Sequence, residues 1–354
     1  MGRTAFIRSF GVVPVVRGAI VAALCITMSA VIRECSSWEQ YVEQYNRQFF
    51  QKRLGFDPMI TIYRDDQNVD RIASDSCTVY CHGWGENQTA VNLRRRWSLL
   101  PGTVVGFNFP DAVSSPNEIR AVACKSSFAQ ENDCRTLTAV LKLLDEADCY
   151  AIHLVGYSRG GGTVANTIAR LKQYEKYRKF FKKLGISHAQ AESILTRIHR
   201  GTVVLDCPLL SMQIILRYHF PNPVEYFMWS YICTPCATHF KYAAWKDQAI
   251  DAAPYLKDFN LLVHFQNRDN VVTNLLDAAF YRTIQAPTTH VLFADDGGHY
   301  HKGQTLAPAL HAFRKMYGGP HYNDTGFLEA GAHILTDSQP REEETEQYFK
   351  QYLV

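Results

Sequence analysis

The chain lacks a charge excess of either sign, and it lacks any uncharged apolar run long enough to be an ordinary transmembrane helix. Its 354 residues carry 37 Lys and Arg against 34 Asp and Glu, a formal net charge of +3. That is too small to make nucleic acid or an anionic surface the main partner. Internal repeats and low-complexity tracts are also missing. Ten cysteines are present, but the one ligand-like cluster, Cys233, Cys236 and His239 in "CTPCATH", is followed by no second CxxC. A structural zinc site wants four ligands, so these read as buried thiols. Cys77 and Cys81 fall on one face of a strand, too far apart along it for an unstrained local disulfide. Hydrophobic residues at 47% and charged residues at 20% describe a folded globular protein.

The first segment nevertheless has a pattern of its own. Arg3, Arg8 and Arg17 precede an uncharged apolar stretch from Gly18 to Ile32, and Arg33 and Glu34 close it. This reads as a signal peptide or membrane anchor, although the stretch falls short of the roughly 20 residues that span a bilayer and no small-x-small cleavage site follows it. Export or membrane association through this segment is the expectation; the alternative is an amphipathic helix of a cytoplasmic protein. The organisation that follows is a leader at 1–35, one domain at 36–320 with helical insertions at about 170–200 and 208–258, and a C-terminal segment at 321–354 in which no chemistry is visible.

Seven short apolar, β-rich runs punctuate that domain: Ile60 to Tyr63, Cys77 to Gly83, Thr103 to Phe109, Cys149 to Gly156, Thr202 to Asp206, Asn260 to Gln266 and His290 to Asp295. Helical patterns lie between them, at Ser127 to Ala147 and Gly161 to Tyr177 for example. Continuous apolar strands alternating with helices predict a mostly parallel α/β sheet covered on both faces. Such sheets carry their functional residues beyond the carboxyl ends of the strands. Between Lys172 and Gly185, the residues Tyr174, Tyr177, Phe181 and Leu184 fall at helical spacing and predict one apolar face opposite a basic one. Ser187 and Gln190 stand at capping-box spacing ahead of a further helix. Met212 to Ile232 is dense in aromatics, which suits either a cap over an apolar cleft or ordinary packing.

The most informative stretch is "IHLVGYSRGGG", Ile152 to Gly162. A strand runs into G-x-S-x-G and then into a helix. Side chains two residues before and after the serine would clash in so tight a turn, so Gly156 and Gly160 are required there, and the turn exposes the Ser158 hydroxyl at a helix N-terminus. With this motif in this context, the chain resembles the α/β-hydrolase superfamily, over roughly Ile60 to Tyr317. The resemblance implies an α/β-hydrolase fold with a helical cap insertion, and serine hydrolase chemistry of the esterase or lipase kind. It implies a triad in the order nucleophile, acid, histidine. Ser158 is the nucleophile. His299, after Gly297 and Gly298, is the expected base, with His301 as the alternative. Asp269 is the expected acid, Asp206 the alternative one strand earlier, and Asp295 or Asp296 read more simply as turn caps. By the same resemblance the Arg159 and Trp84 backbone amides form the oxyanion hole, and His82 braces its loop. Neither cofactor nor metal is implied. The substrate would be a small-molecule or lipid ester, carboxylic or thio. The competing expectation is a non-catalytic protein that keeps the fold as a binding or interaction module.

Overall fold

The structure is a computed structural model. It describes residues 47–63, 76–88, 90, 104–110, 128–233, 248–266, 268–269, 271–272, 277–294, 299, 306, 310 and 313. The expected leader at 1–35, the C-terminal segment at 321–354, Cys236, His239, Asp295, Asp296 and His301 lie outside the described residues. No described helix is long and apolar enough to cross a membrane.

In chain order the elements are α1 (Arg47–Leu54), β1 (Thr61–Tyr63), β2 (Ser76–Cys81), β3 (Val104–Gly106), α2 (Glu131–Glu146), β4 (Ala151–Tyr157), α3 (Arg159–Lys172), α4 (Arg178–Leu184), α5 (His188–His199), β5 (Val203–Asp206), α6 (Met212–His219), α7 (Pro223–Phe227), a π-helix (Met228–Cys233), α8 (Ala249–Ala252), β6 (Leu261–Gln266), α9 (Asp277–Ile284) and β7 (Thr289–Ala294). The seven strands form one sheet in the order β1-β3-β2-β4-β5-β6-β7. Among the described strands only the edge pair β1 and β3 is antiparallel; the other five pairings are parallel. Each apolar run of the sequence therefore corresponds to a strand. The central ones, β4, β5 and β6, are buried along their whole length, as strands covered on both faces must be. One face of the sheet packs on the large core that contains Leu137, Val140, Leu154, Ile168, Leu205 and Val263. The opposite face packs on a smaller cluster with Tyr80, Val155, Tyr157, Leu306, Leu310 and Phe313.

Two helical expectations need correction. The face drawn through Tyr174, Tyr177, Phe181 and Leu184 is not one helix: α3 stops at Lys172, a turn follows, and α4 starts at Arg178. The break lets Tyr174 fold back and stack on Phe181 at 4.9 Å between ring centroids, while its hydroxyl donates to the Ile186 carbonyl. Tertiary packing thus overrides the local period. The capping box at Ser187 is half formed, with the Ser187 hydroxyl accepting from the Gln190 amide at 3.2 Å.

The aromatic insertion divides into two parts. In α6, Ile215 and Leu216 are buried, and Met212, like Phe128 and Val271, packs against the cluster of Ala129, Leu209, Ile215 and Val272. Beyond it, Val224, Phe227, Met228, Trp229 and Tyr231 are exposed. Cys77, Cys81, Cys134, Cys149 and Cys207 form no disulfide, and Cys77 lies 3.3 Å from Cys149 across the β2–β4 boundary, not against Cys81.

Candidate active site

Ser158 sits between the last residue of β4 and the first of α3, with φ 52° and ψ −117°. A non-glycine residue in that region is strained, and the surroundings explain why it persists. The Ser158 amide donates to the Asp206 carbonyl at 2.8 Å, and its carbonyl accepts from the Leu209 and Gly162 amides. The flanking glycines have no room for side chains. A Cβ on Gly160 would stand 1.9 Å from the Cys81 carbonyl oxygen, and one on Gly156 would stand 2.5 Å from that of Gly160. The elbow is thereby pressed against the end of β2 on one side and the Asp206–Leu209 segment on the other.

His299, beyond the end of β7, is brought to this serine. Its Nε2 lies 2.9 Å from Ser158 Oγ and its Nδ1 lies 2.7 Å from Asp269 Oδ2. The other oxygen of Asp269 accepts from the Val271 and Val272 amides, each at 2.8 Å, so a turn built on the carboxylate aims its free oxygen at the imidazole. This arrangement puts the Nδ1 proton toward Asp269 and leaves the Nε2 lone pair for the serine hydroxyl. Of Asp269 and Asp206, Asp269 is the one brought to His299. Asp206 instead holds Nδ1 of His264 at 2.8 Å, a buried pair one strand away, and the far nitrogen of His264 lies 3.1 Å from the Gln266 side-chain amide.

The loop after β2 runs beside the elbow. His82 is buried; its Nδ1 donates to the Gly83 carbonyl at 2.8 Å and its Nε2 accepts from the Phe109 amide at 3.3 Å. Both ring nitrogens are thus engaged by backbone, one in this loop and one in the segment after β3. Burial, with the nearby Arg159 charge second, lowers its pKa from 6.5 to about 4, which keeps it neutral at ordinary pH. Glu86 closes the loop by accepting from the Gly83 amide and the Tyr80 hydroxyl. Trp84 follows in the turn, half exposed, with its ring 5.9 Å from Phe128. Because Gly160 packs on the Cys81 and His82 carbonyls, the two segments carrying the Trp84 and Arg159 amides are back to back.

Three side chains that the sequence does not single out complete the site. Asp133 on α2 grips the Arg159 guanidinium with both oxygens at 2.7 Å, in a pair that is almost wholly buried, and the guanidinium also lies over the Phe109 ring. Glu86 is the second. Tyr157, the variable residue before the serine, stacks on His299 at 5.2 Å and donates its hydroxyl to the His299 carbonyl at 2.7 Å. A Cβ on Gly83 would collide with that tyrosine ring, so glycine there is also a condition of the histidine's placement.

No protein-family model matches the sequence, and no curated protein matches it significantly. Solved structures do match. Esterase B from Lactobacillus rhamnosis is similar with a TM-score of 0.54 at 14% identity, over 84% of this chain and 96% of that one. A thermophilic esterase from the planctomycete Thermogutta terrifontis matches with a TM-score of 0.49 at 13% identity, over 82% and 96%. A lipase/esterase from Lactobacillus plantarum matches with a TM-score of 0.47 at 15% identity, over 79% and 98%. Together with the strand order, the likeness to the first shows that this chain has the α/β-hydrolase fold.

Proposed function

We propose that this α/β-hydrolase-fold chain is a serine hydrolase that cleaves carboxylic, thio- or lipid esters through an acyl-enzyme on Ser158. The observation that carries this reading is the unbroken Asp269–His299–Ser158 hydrogen-bond chain, at 2.7 Å and 2.9 Å, assembled from three separate loops at the carboxyl edge of the sheet. A packing role explains neither the strained serine nor a histidine bonded at both nitrogens to these partners.

In the proposed reaction the Ser158 hydroxyl attacks the ester carbonyl while His299 Nε2 takes its proton. Asp269 stabilises the imidazolium, and the Arg159 and Trp84 amides bind the oxyanion. The imidazolium then protonates the leaving alcohol or thiol. Water, deprotonated by the same nitrogen, releases the acid. Tyr157 positions His299 and takes no proton itself.

An apolar acyl group is favoured by the cluster of Phe128, Leu209, Met212, Ile215 and Val272, which is joined to the elbow through the Leu209 amide and to the acid through the Val272 amide. The named esterase function of the Lactobacillus rhamnosis neighbour agrees with it. Association with a membrane through residues 1–35 belongs to the same proposal. The test is a chain-length series of p-nitrophenyl esters with wild type beside Ser158→Ala. Turnover confined to the wild type supports the reading, and equal turnover in both removes Ser158 from it.

A further inference from the structure

We propose that Cys207, Asp269 and His299 form an inhibitory site for a thiophilic divalent cation of the zinc type. The proposal rests on the reading of His299 as the base of Ser158 and adds a regulator to it. One donor atom from each of the three residues lies within 4.8 Å of those of the other two. Zinc takes a thiolate at about 2.3 Å and an imidazole nitrogen or carboxylate oxygen at about 2.0–2.2 Å, so small side-chain rotations bring the three around one ion. Water supplies the fourth position. A thiolate beside an imidazole selects zinc over magnesium or calcium, whose preferred ligands are oxygens.

Cys207 is placed by strain. It directly follows β5 with φ 44°, and its amide donates to the His264 carbonyl at 2.9 Å. The same thiol is also within 4.8 Å of donors on Asp206 and His264. That second set is buried slightly deeper, the His264 and Asp206 side chains being 0% and 3% exposed. On the triad side the Asp269 and His299 side chains are 6% and 3% exposed, and the path that brings an ester to Ser158 in the proposed reaction is the path by which an ion arrives.

The consequence for catalysis follows from the tautomer. In the resting site the imidazole carries its proton on Nδ1 and keeps the Nε2 lone pair for Ser158. Coordination through Nδ1 needs the lone pair on that nitrogen, so the proton moves to Nε2, while the thiol releases its proton to solvent. No electron transfer is involved. An imidazole with Nε2–H cannot accept the serine proton, and the nucleophile is silenced until the ion leaves.

The experiment uses the full chain with Co²⁺ as a spectroscopic probe and Zn²⁺ as the effector. Wild type should show thiolate-to-cobalt charge-transfer absorption that Cys207→Ser and Cys207→Gly lack, glycine being the variant that suits the left-handed backbone. Zn²⁺ should slow fluorophosphonate labelling of the wild type, and chelation should restore it. In each variant the ratio of rates with and without Zn²⁺ should shift to metal concentrations at least about tenfold higher, since even losing an outer-shell partner costs a metal site that much. Equal zinc sensitivity in wild type and variants, or a cobalt band that survives both substitutions, overturns the site. If chelated wild type is never labelled, the hydrolase reading fails, and the cobalt band still decides the metal site.

Discussion

At the residue scale the site is defined by where single groups are held against their own preference. Ser158 keeps a backbone conformation that costs a non-glycine residue about 1–3 kcal/mol, so Ser158→Gly should raise the denaturant midpoint while abolishing hydrolysis; a midpoint that falls contradicts the strain. Asp269→Asn should lower kcat on the order of 10⁴-fold, because the imidazole loses its fixed tautomer. Asp206→Asn should leave hydrolysis largely intact and instead destabilise the fold by about 1–3 kcal/mol, the cost of weakening a buried hydrogen-bonded partner, here that of His264. Kinetics and urea melts on the two variants, side by side, separate these outcomes. His82 supplies a pH dependence. Its pKa falls from 6.5 in the unfolded chain to about 4 in the fold, so the unfolded state binds the extra proton between those values. The stability that comes from keeping it neutral is complete above about pH 6.5 and is lost as pH falls toward about 4. Midpoints measured across that window should slope in the wild type and flatten in His82→Gln; identical slopes would remove His82 as the cause.

At the scale of elements, the strands were the most legible part of the sequence. β4, β5 and β6 are covered on both faces, and a strand in that position must be apolar throughout, which leaves an unmistakable run. The turn from β4 into α3 was legible for a steric reason, since Gly156 and Gly160 stand where a Cβ would meet backbone oxygen. The break between α3 and α4 was not: Tyr174 keeps helical spacing and leaves the helix only because Phe181 and the Ile186 carbonyl offer better partners. Asp133 was equally silent, an acid in the first turn of α2 that resembles any helix-start carboxylate until Arg159 is packed against it. Tyr157 occupies the free position of the G-x-S-x-G motif, where sequence alone says nothing about a hydroxyl reaching His299. α6 carries its own prediction. Met212 lies in the apolar cluster beside the elbow, so Met212→Ala should lower kcat/KM for longer acyl chains more than for acetate, by up to about tenfold, the scale of a methylene or two in an apolar pocket. A uniform loss across chain lengths would mean that α6 does not line the acyl site.

Across the whole molecule, the site depends on contacts that join parts distant in sequence. Asp133 and Arg159 tie α2 to the start of α3 through a buried two-point ion pair. Removing one partner of such a pair leaves an uncompensated charge and costs about 3–5 kcal/mol; Asp133→Ala should therefore lower the midpoint far more than any surface substitution. Residues 1–35 pose a separate question at this scale. Deleting the residues before Arg33 should release the protein from membranes if the segment anchors it, and unchanged partitioning in fractionated cells would favour a segment that packs on the protein. Activation of Ser158 by His299 and Asp269 is tested by intact-mass detection of a fluorophosphonate adduct. One adduct is expected on the wild type, mapped to the peptide containing Ser158, absent from Ser158→Ala and slowed strongly in His299→Ala. An adduct that persists in Ser158→Ala, or a folded wild type that never reacts under chelating conditions, would contradict it.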